Sequence, residues 1–163
     1  PDKARIRYRF HARGKLPAME LDWFSGERPA EVDELVKGGK VGDEEGGALF
    51  IGTRGMISHG TYPSVNLTLH PADLMAAAKE VPATMPETKG SHEAVWVAAC
   101  KGEGPVSSGF EYASKLTELT HLGNIAIHLG GTIEWDTAKC EVANRPEAAS
   151  LIRRPRRKGW ELV

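Results

Sequence analysis

Cysteine is scarce in this chain: Cys100 and Cys140 are the only two in 163 residues. Two thiols cannot make a disulfide framework or a cysteine metal site, and two free thiols in a reducing compartment is the plainest reading. No apolar run approaches the ~20 residues of a membrane span, and these residues contain no signal peptide. A bias of charge is also lacking: 21 Lys and Arg against 22 Asp and Glu leave a formal net charge of −1. Global electrostatics therefore favour neither a nucleic-acid nor a membrane partner. No Walker motif, G-x-S-x-G or H-E-x-x-H occurs. The segment Lys101–Ser107 has the first two glycines of G-x-G-x-x-G, but Ser107 stands in the third position. It also follows a helical pattern instead of a strand, so it cannot aim a helix N-terminus at a pyrophosphate.

With 40% hydrophobic and 26% charged residues, the composition is that of an ordinary globular chain, and the length predicts one domain, residues 1–163. Eighteen glycines and ten prolines point to many turns and short strands. The chain opens on Pro1-Asp2-Lys3 with a strand pattern directly after, as if it were part of something longer.

Arg5–Phe10 alternates charged and apolar residues with period two, and so does Ala18–Phe24; joined by a turn at Ala12–Leu16, they predict an antiparallel hairpin. Ser25–Gly47 reads as a long, mobile polar connection with a short helix around Ala30–Val36. Ala48–Ile51 and Gly55–Ser58 form a second hairpin around Thr53-Arg54-Gly55. His70-Pro71 is expected to open a helix through Glu80, followed by a Pro-rich loop over Val81–Gly90. Ser91 caps a helix from His92 to Lys101 that Gly102 stops. Ser108 and Glu111 have capping-box spacing, and Tyr112, Leu116, Leu119, Gly123 and Ala126 form one stripe of a long helix. The stripe ends in small residues, which lets the backbone lie close against a sheet. Gly130-Gly131 ends this helix, and Thr132–Trp135 reads as a strand that Cys140–Val142 extends or pairs with. Asn144, Pro146 and Glu147 start a last helix running to about Arg154. Strands first and helices later make the class α+β: a mainly antiparallel open-faced sheet with helices packed on one face.

Few residues point to chemistry. Glu118 and His121 share a helical face, but a bundle di-iron site needs two such pairs and two further glutamates; a polar helix edge is the simpler reading, and no metal is expected. His92, in the first turn of its helix after the loop Thr88-Lys89-Gly90, is well placed to face a ligand, since helix N-termini attract polar and anionic groups. Its plain alternative is a solvated side chain or one packed on Trp96. The run Arg153, Arg154, Arg156, Arg157 and Lys158 is interrupted by Pro155 and reads as a tail docked by ion pairs with Trp160 as anchor. Asn66-Leu67-Thr68 fits the glycosylation triplet, a pattern frequent by chance.

Several blocks, taken in order, carry a resemblance. They are Ser91-His92 with Trp96 and Ala99-Cys100-Lys101-Gly102; Phe110-Glu111-Tyr112-Ala113 with Leu116-Thr117-Glu118; Leu122-Gly123-Asn124-Ile125-Ala126; Ile133-Glu134-Trp135-Asp136; Asn144 with Pro146-Glu147-Ala148; and Arg153-Arg154 with Arg157-Lys158-Gly159-Trp160-Glu161-Leu162. Upstream stand Ala12–Pro17, Leu21-Asp22-Trp23-Phe24, Leu49–Gly52 and Arg54-Gly55. Together they resemble the C-terminal domain of the glucose–fructose oxidoreductase / inositol dehydrogenase (Gfo/Idh/MocA) family, in its bacterial branch. His121, His128, Val95 and Ala98 depart from that pattern.

The resemblance implies the substrate-binding and oligomerising half of an NAD(P)-dependent sugar or polyol oxidoreductase. The catalytic lysine and histidine of such enzymes belong to an N-terminal Rossmann domain, so no catalytic or cofactor-binding residue is expected in this chain. NAD or NADP is implied for the parent protein, the Rossmann domain as a partner in cis or in trans, and a homo-oligomer through the sheet face. His92, Trp96 and Arg54 are the candidates for substrate contact. A stand-alone, non-enzymatic binding module on the same scaffold is the alternative, and export of the parent is left open.

Overall fold

In the computed structural model, which describes residues 2–37, 39–62, 66–84, 90–106, 108–153 and 155–160, the alternation at the start of the chain forms strand β1, Ala4–Phe10. It pairs with β2, Met19–Ser25. Arg13 and Leu16 exchange both backbone hydrogen bonds, 3.0 and 2.9 Å, across the turn. The charged residues of β1 lie along one exposed face and meet the acids of β2: Arg5 with Asp22 at 3.2 Å, Arg9 with Glu20 at 3.0 Å. Such exposed pairs contribute about 0–1 kcal/mol each and mainly hold register. The apolar face of β2 is less covered than its alternation implies, since Met19 and Trp23 are half exposed. The chain divides into two compact units, Pro1–Arg5 with Asp22–Thr88 and Ile6–Leu21 with Lys89–Val163.

The first unit holds α1, Ala30–Leu35, close to the expected short helix, and a three-stranded antiparallel sheet. Strands β3, Ala48–Gly52, and β4, Gly55–His59, pair around a Thr53-Arg54 turn with Gly52 opposite Gly55. A third strand, β5, Thr68–His70, adds to β4. It takes up residues expected to begin a helix, because His70 is the ladder partner of Met56. Helix α2 is consequently shorter than expected, Leu74–Ala78, starting after Pro71.

The second unit holds α3, His92–Cys100, and α4, Phe110–Leu129. Ser91 caps α3 by accepting from Ala94 N–H at 3.2 Å. At the other end Gly102, with φ 75°, lets Glu103 N–H reach Ala98 O at 2.9 Å, the paired carbonyl satisfaction of a Schellman end. The capping box expected at Ser108 and Glu111 does not form: Gly109 is the N-cap and no side chain caps the helix. Starting at Phe110, the helix leaves Ser108 one position too early for its hydroxyl to accept from the first turn. Gly130, φ 68°, ends α4 as expected.

The small residue of the α4 stripe meets β1. Gly123 is buried, and a Cβ there would overlap Tyr8 Oη and lie 3.0 Å from Ile6 Cδ1. Tyr8 Oη donates to Leu119 O at 3.2 Å, and burial pushes its phenol pKa up. Strands β6, Trp135–Asp136, and β7, Glu141–Val142, pair. The chain then makes a 3-10 turn, Pro146–Ala148, and α5, Ala149–Ile152. Asn144 does not cap this turn. Its side chain accepts from Glu134 N–H at 2.8 Å and donates to Thr132 O at 3.1 Å, tying the β6 approach to the β7 exit. Glu147 pairs with Arg145 at 2.6 Å instead of reaching back to a helix start. Pro1, Thr88-Lys89, Ser107, Arg154 and Glu161-Leu162 lie outside the described residues.

The architecture is α+β with antiparallel pairing; among the described residues the strands are shared among three small sheets of two, three and two strands. Full burial is rare: among the described residues the apolar core is Val36, Val41, Val142 and Ala148.

Overpacking at the closest helix–strand contact tests the second unit. Gly123→Leu is expected to cost about 1–3 kcal/mol and to lower Tm by about 2–4 °C for each kcal/mol. Unchanged melting by circular dichroism would show that Tyr8 and α4 separate freely.

Candidate functional site

Helix α3 carries two of the three candidate residues. His92 is its first residue, and Trp96 follows one turn later on the same face, 59% exposed. No ring contact joins them among the described residues, so His92 is solvated and does not pack on the indole. The neighbouring Glu93 has its carboxyl held below the ordinary range, first by the Ser91 side chain and then by its own backbone N–H at the free helix end. The result is an exposed imidazole and an exposed indole plane, one above the other, at a polar helix terminus. Such a pair can stack a ligand and hydrogen-bond it without any covalent chemistry.

Arg54 stands elsewhere, in the Thr53-Arg54 turn of the first unit, exposed at the tip of β3–β4. His92 and Trp96 share one element of the second unit, and Arg54 belongs to the other.

The polar organiser of the first unit is a residue the sequence reading passed over. Asp43 Oδ1 accepts from Glu45 N–H and Gly46 N–H, each at 3.0 Å, and from Thr61 Oγ1 at 2.8 Å. Its Oδ2 accepts from Thr61 N–H at 2.7 Å, and Arg28 donates to its carbonyl at 2.6 Å. The Thr61 backbone and side-chain bonds are the main cause that lowers the Asp43 pKa to about 2. Gly42 is required beside it: φ is 81°, and a Cβ would run into the Gly46 carbonyl. Within the Ser25–Gly47 connection Val41 N–H also donates to Asp33 Oδ1 at 3.1 Å. An open cleft of about 450 Å³ lies here, lined by Lys40, Gly42, Asp43, Glu44, Asn66 and Thr68. The spacing Asp43-x-x-Gly46 was the local signal for the turn; Thr61, distant in sequence, left none. Behind the sheet, Ser58, 2% exposed, shares a 2.9 Å hydrogen bond with His70 Nε2.

The remaining candidates have structural partners or none. Glu118 accepts from Trp135 Nε1 at 3.0 Å, tying α4 to β6, while His121 is exposed. Among the described residues no group of three or more His, Cys, Asp or Glu could hold a metal ion, and no helix is long and apolar enough to cross a membrane. Of the basic run, Arg153, Arg156, Arg157 and Lys158 are exposed and have no carboxylate partner among the described residues, and Arg154 lies outside them. Trp160 is 67% exposed, with the Arg157 guanidinium 4.8 Å from its ring centroid. With its own cation on its face, the indole is not buried as an anchor. Asn66 is exposed ahead of β5 with φ 54°.

No family model, no curated protein and no solved structure matches this chain.

Asp43 gives an acid-titration test. Its folded pKa of about 2 lies below the ordinary value near 3.9, so its contribution to stability is complete above about pH 4 and is lost as pH falls through about 2. Asp43→Asn is expected to lower Tm at pH 7 and to leave the variant less acid-sensitive over that window. Identical acid melting of variant and wild type would remove Asp43 as the organiser.

Proposed function

We propose that this chain is the substrate-binding and oligomerising C-terminal half of an NAD(P)-dependent sugar or polyol oxidoreductase, with hydride transfer carried by a separate Rossmann domain. The structural observation that carries the reading is an uncovered apolar sheet face. Phe50, Ile57 and Leu69 are ladder partners across β3, β4 and β5 and so lie on one side of the sheet. Phe50 is 59% exposed and Ile57 41%. An open apolar sheet face fits association with another copy. The order of sequence blocks from Ala12 to Leu162 supplies the family part of the reading.

Gly102 is consumed in closing α3, which leaves the loop behind a helix C-terminus, where carbonyls and not N–H groups face outward. Holding NAD or NADP, and the chemistry it supplies, falls to the Rossmann domain. This chain's part is recognition: the Trp96 indole stacks an apolar sugar face and the His92 imidazole bonds a hydroxyl, while Arg54, on the other unit, is a separate candidate contact. A stand-alone binding module is the second reading, favoured by the same exposed His92 and Trp96, which need no catalytic neighbour to bind a ligand.

Calorimetric titration of this chain with NAD(H) and NADP(H) separates it from a complete enzyme: no micromolar binding is expected, and clear saturation would sink the proposal. A Rossmann segment encoded in frame or next to this chain favours the enzyme half over the stand-alone module. A dimer broken by Phe50→Lys with Ile57→Lys supports the sheet-face association, and a strict monomer at high concentration removes it.

A further inference from the structure

Helix α4 is covered over only part of its length. Its apolar stripe passes from Gly123, buried under β1, to Leu119, half buried, and then runs into the open: Leu116 is 52% exposed and Tyr112 66%. Along one flank of this open stretch lie Glu111 and Lys115, both exposed. They stand one helical turn apart, yet neither has an ion-pair partner among the described residues, although most acids and bases of the β1–β2 hairpin are paired.

We propose that a second copy of this chain docks on the N-terminal half of α4, with the two helices antiparallel about a two-fold axis near residues 113 and 114. Such a contact is isologous, so every pairing occurs twice. With the axis there, Tyr112 of each copy faces Leu116 of the other, and the apolar stretch left open by β1 closes on itself. In an antiparallel pair the same flanks run alongside each other, which sets Glu111 of one copy against Lys115 of the other. The stripe pairing centres on residue 114 and the charged pairing on residue 113, so one axis between them brings both pairs within reach. Charge complementarity is with self, because one short segment carries both the acid and the base. The contact lies on a helix and is separate from the sheet face of Phe50 and Ile57, so it does not depend on the proposed oxidoreductase reading.

Sedimentation velocity of the full chain across a concentration series, with circular dichroism to confirm folding, decides it. Wild type is expected to associate, and Leu116→Glu to abolish the α4-dependent step. Glu111→Lys alone or Lys115→Glu alone places like charges opposite each other and is expected to weaken association about tenfold or more. The double variant Glu111→Lys with Lys115→Glu restores opposite charges and is expected to recover most of that loss. A wild type that stays monomeric overturns the proposal, as does association unaffected by Leu116→Glu or a double variant no better than either single one. Association lost in Phe50→Lys but kept in Leu116→Glu overturns this contact and leaves the sheet-face reading standing; the reverse result does the opposite.

Discussion

The contact of Tyr8 with the middle of α4 is the constraint from which the second unit is built. A twenty-residue helix is long enough to form, but its amphipathic face gives it a place only when something covers that face. Tyr8 does so with a ring against Gly123 and a hydroxyl on the Leu119 carbonyl. The carbonyl already accepts within the helix, so the extra donor uses its second lone pair, and the phenol is not left unsatisfied in its partly buried site. Only glycine permits that approach. From this anchor, the Glu118–Trp135 bond carries the fixed position of α4 to β6, and Asn144 passes it on to the turn after β7.

Much of this was legible before any coordinates. The β1–β2 and β3–β4 hairpins follow from period-two alternation around Gly14 and Gly55, and α3 from Ser91 and Gly102, because those signals are local and each residue acts on its immediate neighbours. The small residue at position 123 announced close approach to a sheet. Two of the misreadings share a cause in non-local competition. His70 joined β5 because Met56 was available as a ladder partner, and Asn144 was drawn from capping to a strand approach ten residues back. Asp43 was silent for the same reason, its strongest partner lying far along the chain. At the site, the sequence identified His92 and Trp96 as near neighbours on one helix, and the structure adds that both are open to solvent; that Arg54 stands in the other compact unit could not be read from spacing.

The distribution of exposed apolar groups follows a pattern. Some of them share a face: Phe50 and Ile57 on a sheet, Tyr112 and Leu116 on a helix. Scattered exposed apolar residues are ordinary on any surface, but ladder partners and residues one helical turn apart make contiguous patches that signify contact. The polar residues are arranged differently. Asp43, Asp33, Ser58 and Asn144 each have defined partners in their own unit, so polar groups fix the folded chain while several apolar groups face outward.

The carboxylate of Asp43 acts as a clasp on chain entropy. Its bonds to Thr61 close a loop across eighteen positions, and the β3–β4 hairpin lies wholly within that loop. Because the hairpin brings its own ends together, little additional loop-closure entropy remains for Asp43 to overcome. The clasp can thus close by zipping outward from the Thr53-Arg54 turn, with short contact order at every step. Where an oxidised extracellular domain of similar size uses a disulfide to close such a loop, this chain uses one acid and one threonine, and the closure is reversible with pH and independent of redox state.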